Sequence, residues 1–142
     1  MIPPTVSKAR VSSADLEQRG GNSCRVLVVE DDASSRRALT LLLKLRGFQA
    51  TYAKTRAEAL ACLPDGPLCV LLDLMLPDGN GADVLRHIRR EQLPIRVAVT
   101  SGAANWESLL DGVHPDAFFA KPLDFERLVR WIAIDCCQTV EG

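Results

Sequence analysis

Short apolar runs alternate along this chain with longer stretches of helical periodicity. Val26-Leu27-Val28-Val29, Leu68-Cys69-Val70-Leu71-Leu72, Val97-Ala98-Val99 and Ala117-Phe118-Phe119-Ala120 are uniformly apolar and only a few residues long. Runs of this kind describe parallel strands covered on both faces. The pattern predicts strands over 26–29, 48–52, 68–72, 96–99 and 117–120. A helix over 34–45 draws its apolar stripe from Leu39, Leu42, Leu43 and Leu45, with Gly47 closing it. Thr55-Arg56-Ala57-Glu58 reads as a capping box that opens a second helix, ending before Pro64. A third covers 82–90 with Val84, Leu85 and Ile88 inward. A fourth, near 106–110, is short and interrupted by Gly112 and Pro115. Asp124 caps a last helix running to about Cys136. Strands that alternate with helices predict a single doubly wound α/β domain. Leu74–Gly81, rich in proline and glycine, reads as a loop.

Residues 1–23 stand apart. Pro3-Pro4, a serine-rich stretch and Gly20-Gly21 bury too little to offset ordering, so a flexible N-terminal arm is expected over 1–23, the domain over 24–137 and a tail over 138–142. At 142 residues, 47% apolar and 25% charged, the chain has ordinary globular composition. A net charge of -1 gives no basic footprint for direct nucleic-acid binding. No run reaches the length of a membrane span and no secretory signal is visible, so a cytoplasmic location is expected. The five cysteines have an odd count and no metal-type spacing, which predicts reduced thiols, some of them buried as small hydrophobes.

Polar residues at the strand ends carry the chemistry. The first strand runs into Glu30-Asp31-Asp32, the third into Asp73, the fourth into Thr100-Ser101 and the fifth into Lys121-Pro122. Ligands of open α/β sheets bind outside the carboxyl ends of the strands. Asp73 alone could be a simple cap. With the first strand beside the third, however, three carboxylates would crowd together and raise one another's pKa unless a cation lay between them. Mg²⁺ suits such a shallow oxygen site, because it keeps several waters. Lys121 and the Thr100 hydroxyl complete a set able to stabilise phosphoryl transfer to a carboxylate.

These segments resemble the receiver domain of two-component response regulators across about residues 24–136. The resemblance rests on Val28-Val29-Glu30-Asp31-Asp32, Leu71-Leu72-Asp73-Leu74-Met75-Leu76-Pro77-Asp78-Gly79, Val99-Thr100-Ser101-Gly102 and Phe118-Phe119-Ala120-Lys121-Pro122. It implies a flavodoxin-like five-stranded parallel sheet of order 2-1-3-4-5 flanked by five helices. Asp73 would be the phosphoacceptor. Asp31, Glu30 (directly or through water), Asp73 and the Met75 backbone carbonyl would hold Mg²⁺. Thr100 and Ser101 would be switch hydroxyls, Phe118 the switch aromatic and Lys121 the phosphate-binding lysine, with a cis bond before Pro122. The implied function is a non-enzymatic phosphorelay domain that accepts a phosphoryl group from the phospho-histidine of a sensor kinase or phosphotransfer protein. With no output domain after the last helix, the signal is expected to pass by protein–protein contact. The chain departs from the pattern in a slightly short segment between Thr100 and Lys121, in His114-Pro115, and in Phe118, which lacks the hydroxyl of a tyrosine often found there.

Other readings are weaker. A dehalogenase-type phosphatase needs a second aspartate two residues beyond the nucleophile, where this chain has Met75. A nucleotide-binding module needs a glycine-rich turn after the first strand, and the acidic turn here would repel phosphate. A receiver-fold module that signals without phosphorylation is the main alternative; a phosphotransfer assay separates it. His87 and His114 read as surface residues, Arg36-Arg37 as a basic pair near the rim of the site, and Trp106 as either a core anchor or an interface residue.

Overall fold

The computed structural model describes residues 24–137, so the arm expected over 1–23 and the tail over 138–142 lie outside the described residues. Five parallel strands, β1 (Arg25–Val29), β2 (Gln49–Ala53), β3 (Cys69–Asp73), β4 (Arg96–Ser101) and β5 (Ala117–Ala120), form one sheet in the order β2-β1-β3-β4-β5. The helices are α1 (Ala33–Leu45), α2 (Arg56–Cys62), α3 (Ala82–Arg90), α4 (Trp106–Leu110) and α5 (Phe125–Trp131), the last continuing as π-type turns over Ile132–Cys137. This is the doubly wound α/β domain that the alternation predicts, in the flavodoxin-like strand order that the resemblance implies. The segment after β3 is more ordered than a loop: Met75–Leu76 pairs with Gly79–Asn80 in a small antiparallel hairpin.

Side-chain alternation along the strands builds two apolar layers. Leu27, Val29, Val70, Leu72, Val97 and Val99 face α2, α3 and α4, where Ala59, Val84, Leu85, Ile88 and Leu110 cover them. Val26, Val28, Leu71, Ala98 and Phe119 face Leu43 of α1 and Leu128 and Ile132 of the C-terminal helix. Val84, Leu85 and Ile88 point inward as expected, all fully buried. Burying a side chain of that size stabilises by about 1.5–3 kcal/mol relative to exposure.

Helix α1 corrects its predicted stripe. Its buried residues are Arg36, Thr40 and Leu43, while Leu41, Leu42 and Leu45 are exposed. Five leucines between positions 39 and 45 surround the helix, so leucine spacing alone does not select a face. Contacts with the rest of the fold select it: Leu43 packs in the apolar layer and Arg36 bonds the Glu30 and Asp31 carbonyls. The Asp32 carboxylate caps the helix by accepting from the Ser35 N–H at 2.9 Å, which sets where it begins.

The cysteine expectation is also corrected. Cys24, just before β1, forms a disulfide with Cys137 at the end of the last described helical segment, with Cα atoms 5.5 Å apart. The pair is separated by 113 positions, so nothing in the cysteine spacing indicates it. The folded sheet brings the two termini of the described domain together.

Two glycines are required for different reasons. Gly47 follows α1 at φ +93°, a left-handed conformation that side-chain-bearing residues rarely adopt, and no atom would meet a Cβ there. Gly81 has ordinary torsions, yet a Cβ would collide with the Asp73 carbonyl oxygen. Its N–H donates to the Leu74 carbonyl at 2.8 Å, closing the hairpin segment onto the end of β3. Gly81→Ala should therefore cost about 1–3 kcal/mol by overpacking, read as a lower urea midpoint. A midpoint within error of wild type would show that this close approach is not required.

Candidate phosphoacceptor and metal site

Parallel register gathers the strand-end residues. β1 lies beside β3, so Glu30 and Asp31 follow Val29 next to the end of the strand that carries Asp73. Asp73 pairs in register with Thr100 of β4. Lys121 follows β5, and its N–H donates to the Ser101 carbonyl at 3.0 Å, anchoring the loop that leads its side chain inward. The Lys121–Pro122 peptide bond is cis.

Carboxylate oxygens of Glu30, Asp31 and Asp73 all lie within 4.8 Å of one another. Glu30 and Asp73 are buried and Asp31 is exposed, so the cluster opens to solvent on one side. Lys121 Nζ sits between the two buried members, 2.8 Å from Glu30 Oε1 and 3.2 Å from Asp73 Oδ2. Burial opposes the charge on Lys121, but the Glu30 hydrogen bond and the nearby Asp73 and Glu30 charges outweigh it and raise its pKa above the ordinary lysine value. The lysine is thus held as an ammonium ion.

Each sequence-predicted residue now has a place. Glu30, Asp31, Asp73, Thr100 and Lys121 converge. Met75 contributes a backbone N–H, which donates to Asp73 Oδ1 at 3.1 Å and fixes one carboxylate oxygen; its side chain is exposed. The Ser101 hydroxyl accepts from the Ala103 N–H at 3.0 Å and so orders the turn after β4. Phe118 lies apart from the carboxylates. Its half-buried ring stacks on Trp106 of α4 with centroids 4.0 Å apart, which also places Trp106 against the core. Asp32, part of the acidic run, is the α1 cap described above. Its pKa is lowered by the hydrogen bonds from Ser35, backbone first.

Arg36 and Arg56 emerge only in three dimensions. Arg36 is buried rather than part of an exposed basic pair. Its Nη1 donates to the carbonyls of Glu30 and Asp31, each at 3.2 Å, and its guanidinium lies over the Tyr52 ring at 5.0 Å. It braces the acidic turn from behind. Arg36 falls on the same helical face as Thr40 and Leu43, at intervals of four and three, which is the signal available in the sequence. Arg56 links α2 to the hairpin segment: its N–H donates to Asp78 Oδ1 at 2.8 Å and its guanidinium pairs with Asp83.

Comparison with known proteins agrees with this architecture. The response regulator receiver domain family matches residues 26–133. The acid tolerance regulatory protein ActR of Rhizobium meliloti is 30% identical over 132 residues, covering 91% of this chain and 68% of ActR. The phosphate regulon transcriptional regulatory protein PhoB of Escherichia coli is 33% identical over 113 residues, covering 76% of this chain and 49% of PhoB. The chain thus spans about half the length of PhoB. Among solved structures, a response regulator receiver protein from Pseudomonas putida is 31% identical with a TM-score of 0.70, covering 77% of this chain and 94% of that one. The response regulator TrrA of Thermotoga maritima, solved in complex with Mg(2+)-BeF, is 25% identical with a TM-score of 0.69, covering 77% and 96%. With the family matched across most of its length, and with these relatives in sequence and structure, the chain belongs to the response regulator receiver domains of two-component systems.

Proposed function

We propose that Asp73 accepts a phosphoryl group from the phospho-histidine of a sensor kinase or phosphotransfer protein, and that the modification switches contacts with other proteins. The observation that carries this reading is the placement of Asp73. It is a buried carboxylate with one oxygen fixed by the Met75 N–H and the other beside an ammonium ion, next to the Thr100 strand position. We place this exchange in the cytoplasm, the setting that the proposed kinase or phosphotransfer donor implies. Among the described residues no helix is long and apolar enough to cross a membrane.

The donor set fits Mg²⁺. When ionised, three clustered carboxylates face one ammonium, leaving two negative charges uncompensated, and every offered atom is a hard oxygen. Glu30, Asp31, Asp73 and the Met75 backbone carbonyl are the proposed ligands. Bound there, Mg²⁺ would neutralise oxygens of the transferring phosphoryl group.

In the transfer, an Asp73 carboxylate oxygen attacks phosphorus and the P–N bond to the donor imidazole breaks. The electron pair leaves on nitrogen, which takes up a proton. Lys121 then exchanges its contact with Asp73 for a phosphoryl oxygen, and the Thr100 hydroxyl donates to another. Asp73 is not an enzyme's nucleophile here, because the phosphorylated chain is itself the signal. The modification adds roughly two negative charges to the site. Ser101 orders the turn that follows, and the Phe118–Trp106 stack joins β5 to α4, which has only five residues. A shift at Thr100 and Phe118 is therefore felt at a weakly held element.

The donor docks, in this reading, on the outer face of α1. Ala38, Leu41, Leu42 and Leu45 are exposed at the i, i+3, i+4, i+7 spacing of a helix-binding stripe. Beside it, a groove of about 580 Å³ lined by Leu39, Leu42, Pro122, Leu123 and Phe125 opens at Glu30 and Lys121. A helix laid on this face would reach Glu30 and Lys121, and Lys121 touches Asp73.

Asp73→Asn is nearly isosteric and should abolish acid-labile phosphorylation by acetyl phosphate or a phospho-histidine donor while leaving the circular dichroism spectrum unchanged. Phosphorylation at the wild-type rate would overturn the assignment and favour signalling without phosphorylation. Asp31→Ala should relieve carboxylate repulsion, raising stability without Mg²⁺, and should weaken Mg²⁺ binding. Thermal unfolding without metal checks the first half and calorimetric Mg²⁺ titration the second; an unchanged Mg²⁺ affinity would remove Asp31 from the ligand set.

A further inference from the structure

Four of the five cysteines meet at the end of the sheet opposite the acidic site. Cys24 immediately precedes β1, Cys69 is the first residue of β3, and Cys136 and Cys137 close the last helical segment. All four belong to the apolar layer under α1 and α5. Cys24 and Cys137 are joined, whereas the Cys69 thiol hydrogen-bonds Cys136. Burial, followed by that thiol neighbour, pushes the pKa of Cys69 well above the ordinary thiol value, so it stays protonated and a poor nucleophile. Cys69 is thereby a poor competitor for exchange with the disulfide. Cys24 is fully buried and Cys137 only half-buried, so an outside reagent meets Cys137 first.

We propose that Cys24 and Cys137 form a reversible thiol–disulfide latch, closed by a small disulfide of the glutathione class, that fastens the end of the C-terminal helix to the start of β1. The segment it holds, Ile132–Cys137, adopts π-type turns and buries only Ile132 and Cys136. Few apolar contacts retain it when the covalent tie is absent.

The exchange balances without any further reactant. The Cys137 thiolate attacks one sulfur of the small disulfide, forming a mixed disulfide and releasing one thiolate. The Cys24 thiolate then attacks the Cys137 sulfur, forming the observed bond and releasing the second. The protein loses two electrons and two protons, and the small disulfide becomes two thiols; excess reduced thiol reverses both steps. Disulfides that occur in reducing compartments are usually transient or redox-sensing. The regulatory sense of the latch therefore rests on the intracellular setting proposed above, while its chemistry does not.

The test uses the full chain, reduced and then equilibrated in glutathione buffers of stepped redox ratio. Peptide mapping without reduction should show a Cys24–Cys137 cross-link that forms and disappears reversibly. Opening it should lower the Tm by roughly 10 °C, given the long loop that it closes, and should raise hydrogen exchange across residues 132–137. Cys137→Ser should match the reduced wild-type protein in both readouts and ignore the redox ratio, and Cys24→Ser should do the same. A cross-link that never forms, one that reduced glutathione never opens, or one whose opening changes neither Tm nor exchange would overturn the latch. None of these readouts involves Asp73, so failure of the latch is distinguishable from failure of phosphotransfer.

Discussion

One ammonium ion held between buried carboxylates is the interaction on which the acidic end of this domain depends. Glu30, Asp31 and Asp73 bring oxygens within 4.8 Å of one another. At an effective dielectric near 20, two like charges at that separation repel by about 3–4 kcal/mol. Lys121 answers this repulsion from 2.8 and 3.2 Å, at the two members that water reaches least. Its raised pKa is the same interaction seen from the lysine. The exposed Asp31 carboxylate keeps the site open to a divalent cation. In the proposed function, that open side is where Mg²⁺ would enter.

The sheet makes that balance possible at low cost to the rest of the fold. Parallel strands send their carboxyl ends to one edge, so residues far apart in sequence become neighbours with no special local structure. Backbone groups then fix each side chain: the Met75 N–H on Asp73, the Arg36 guanidinium on the Glu30 and Asp31 carbonyls, and the Ser101 carbonyl on the Lys121 N–H. Gly81 lets the hairpin segment lie against the Asp73 backbone. At the opposite end of the strands the charges are paired, Asp116 with Arg89 and Arg96, and four cysteines join the apolar layer beneath.

Strand positions and polar strand ends were legible in the sequence because both faces of the sheet are covered, leaving unbroken apolar runs that stop where the site begins. Helix α3 was legible for a related reason: a single apolar face at Val84, Leu85 and Ile88 admits one orientation. Helix α1 was not, since leucines surround it and contacts of Leu43 and Arg36 with the rest of the fold decide which face is buried. Arg36 was read as part of a surface pair because a buried guanidinium is exceptional; its aromatic neighbour Tyr52 lies on β2, sixteen positions on. The Cys24–Cys137 bond was invisible because it depends on where the two termini of the folded domain meet. Local patterns thus located the elements and the acidic cluster, and long-range contacts determined what braces and fastens them.

The charge balance is tested most directly by calorimetric Mg²⁺ titration of Lys121→Met beside the wild-type protein. Removing the ammonium while keeping an apolar side chain of similar length takes away the cation that competes for Glu30 and Asp73. The variant should bind Mg²⁺ more tightly, by about tenfold, and be less stable than wild type when metal is absent. Mg²⁺ binding that is unchanged or weaker in the variant would contradict the account, since the lysine would then not be offsetting the carboxylates.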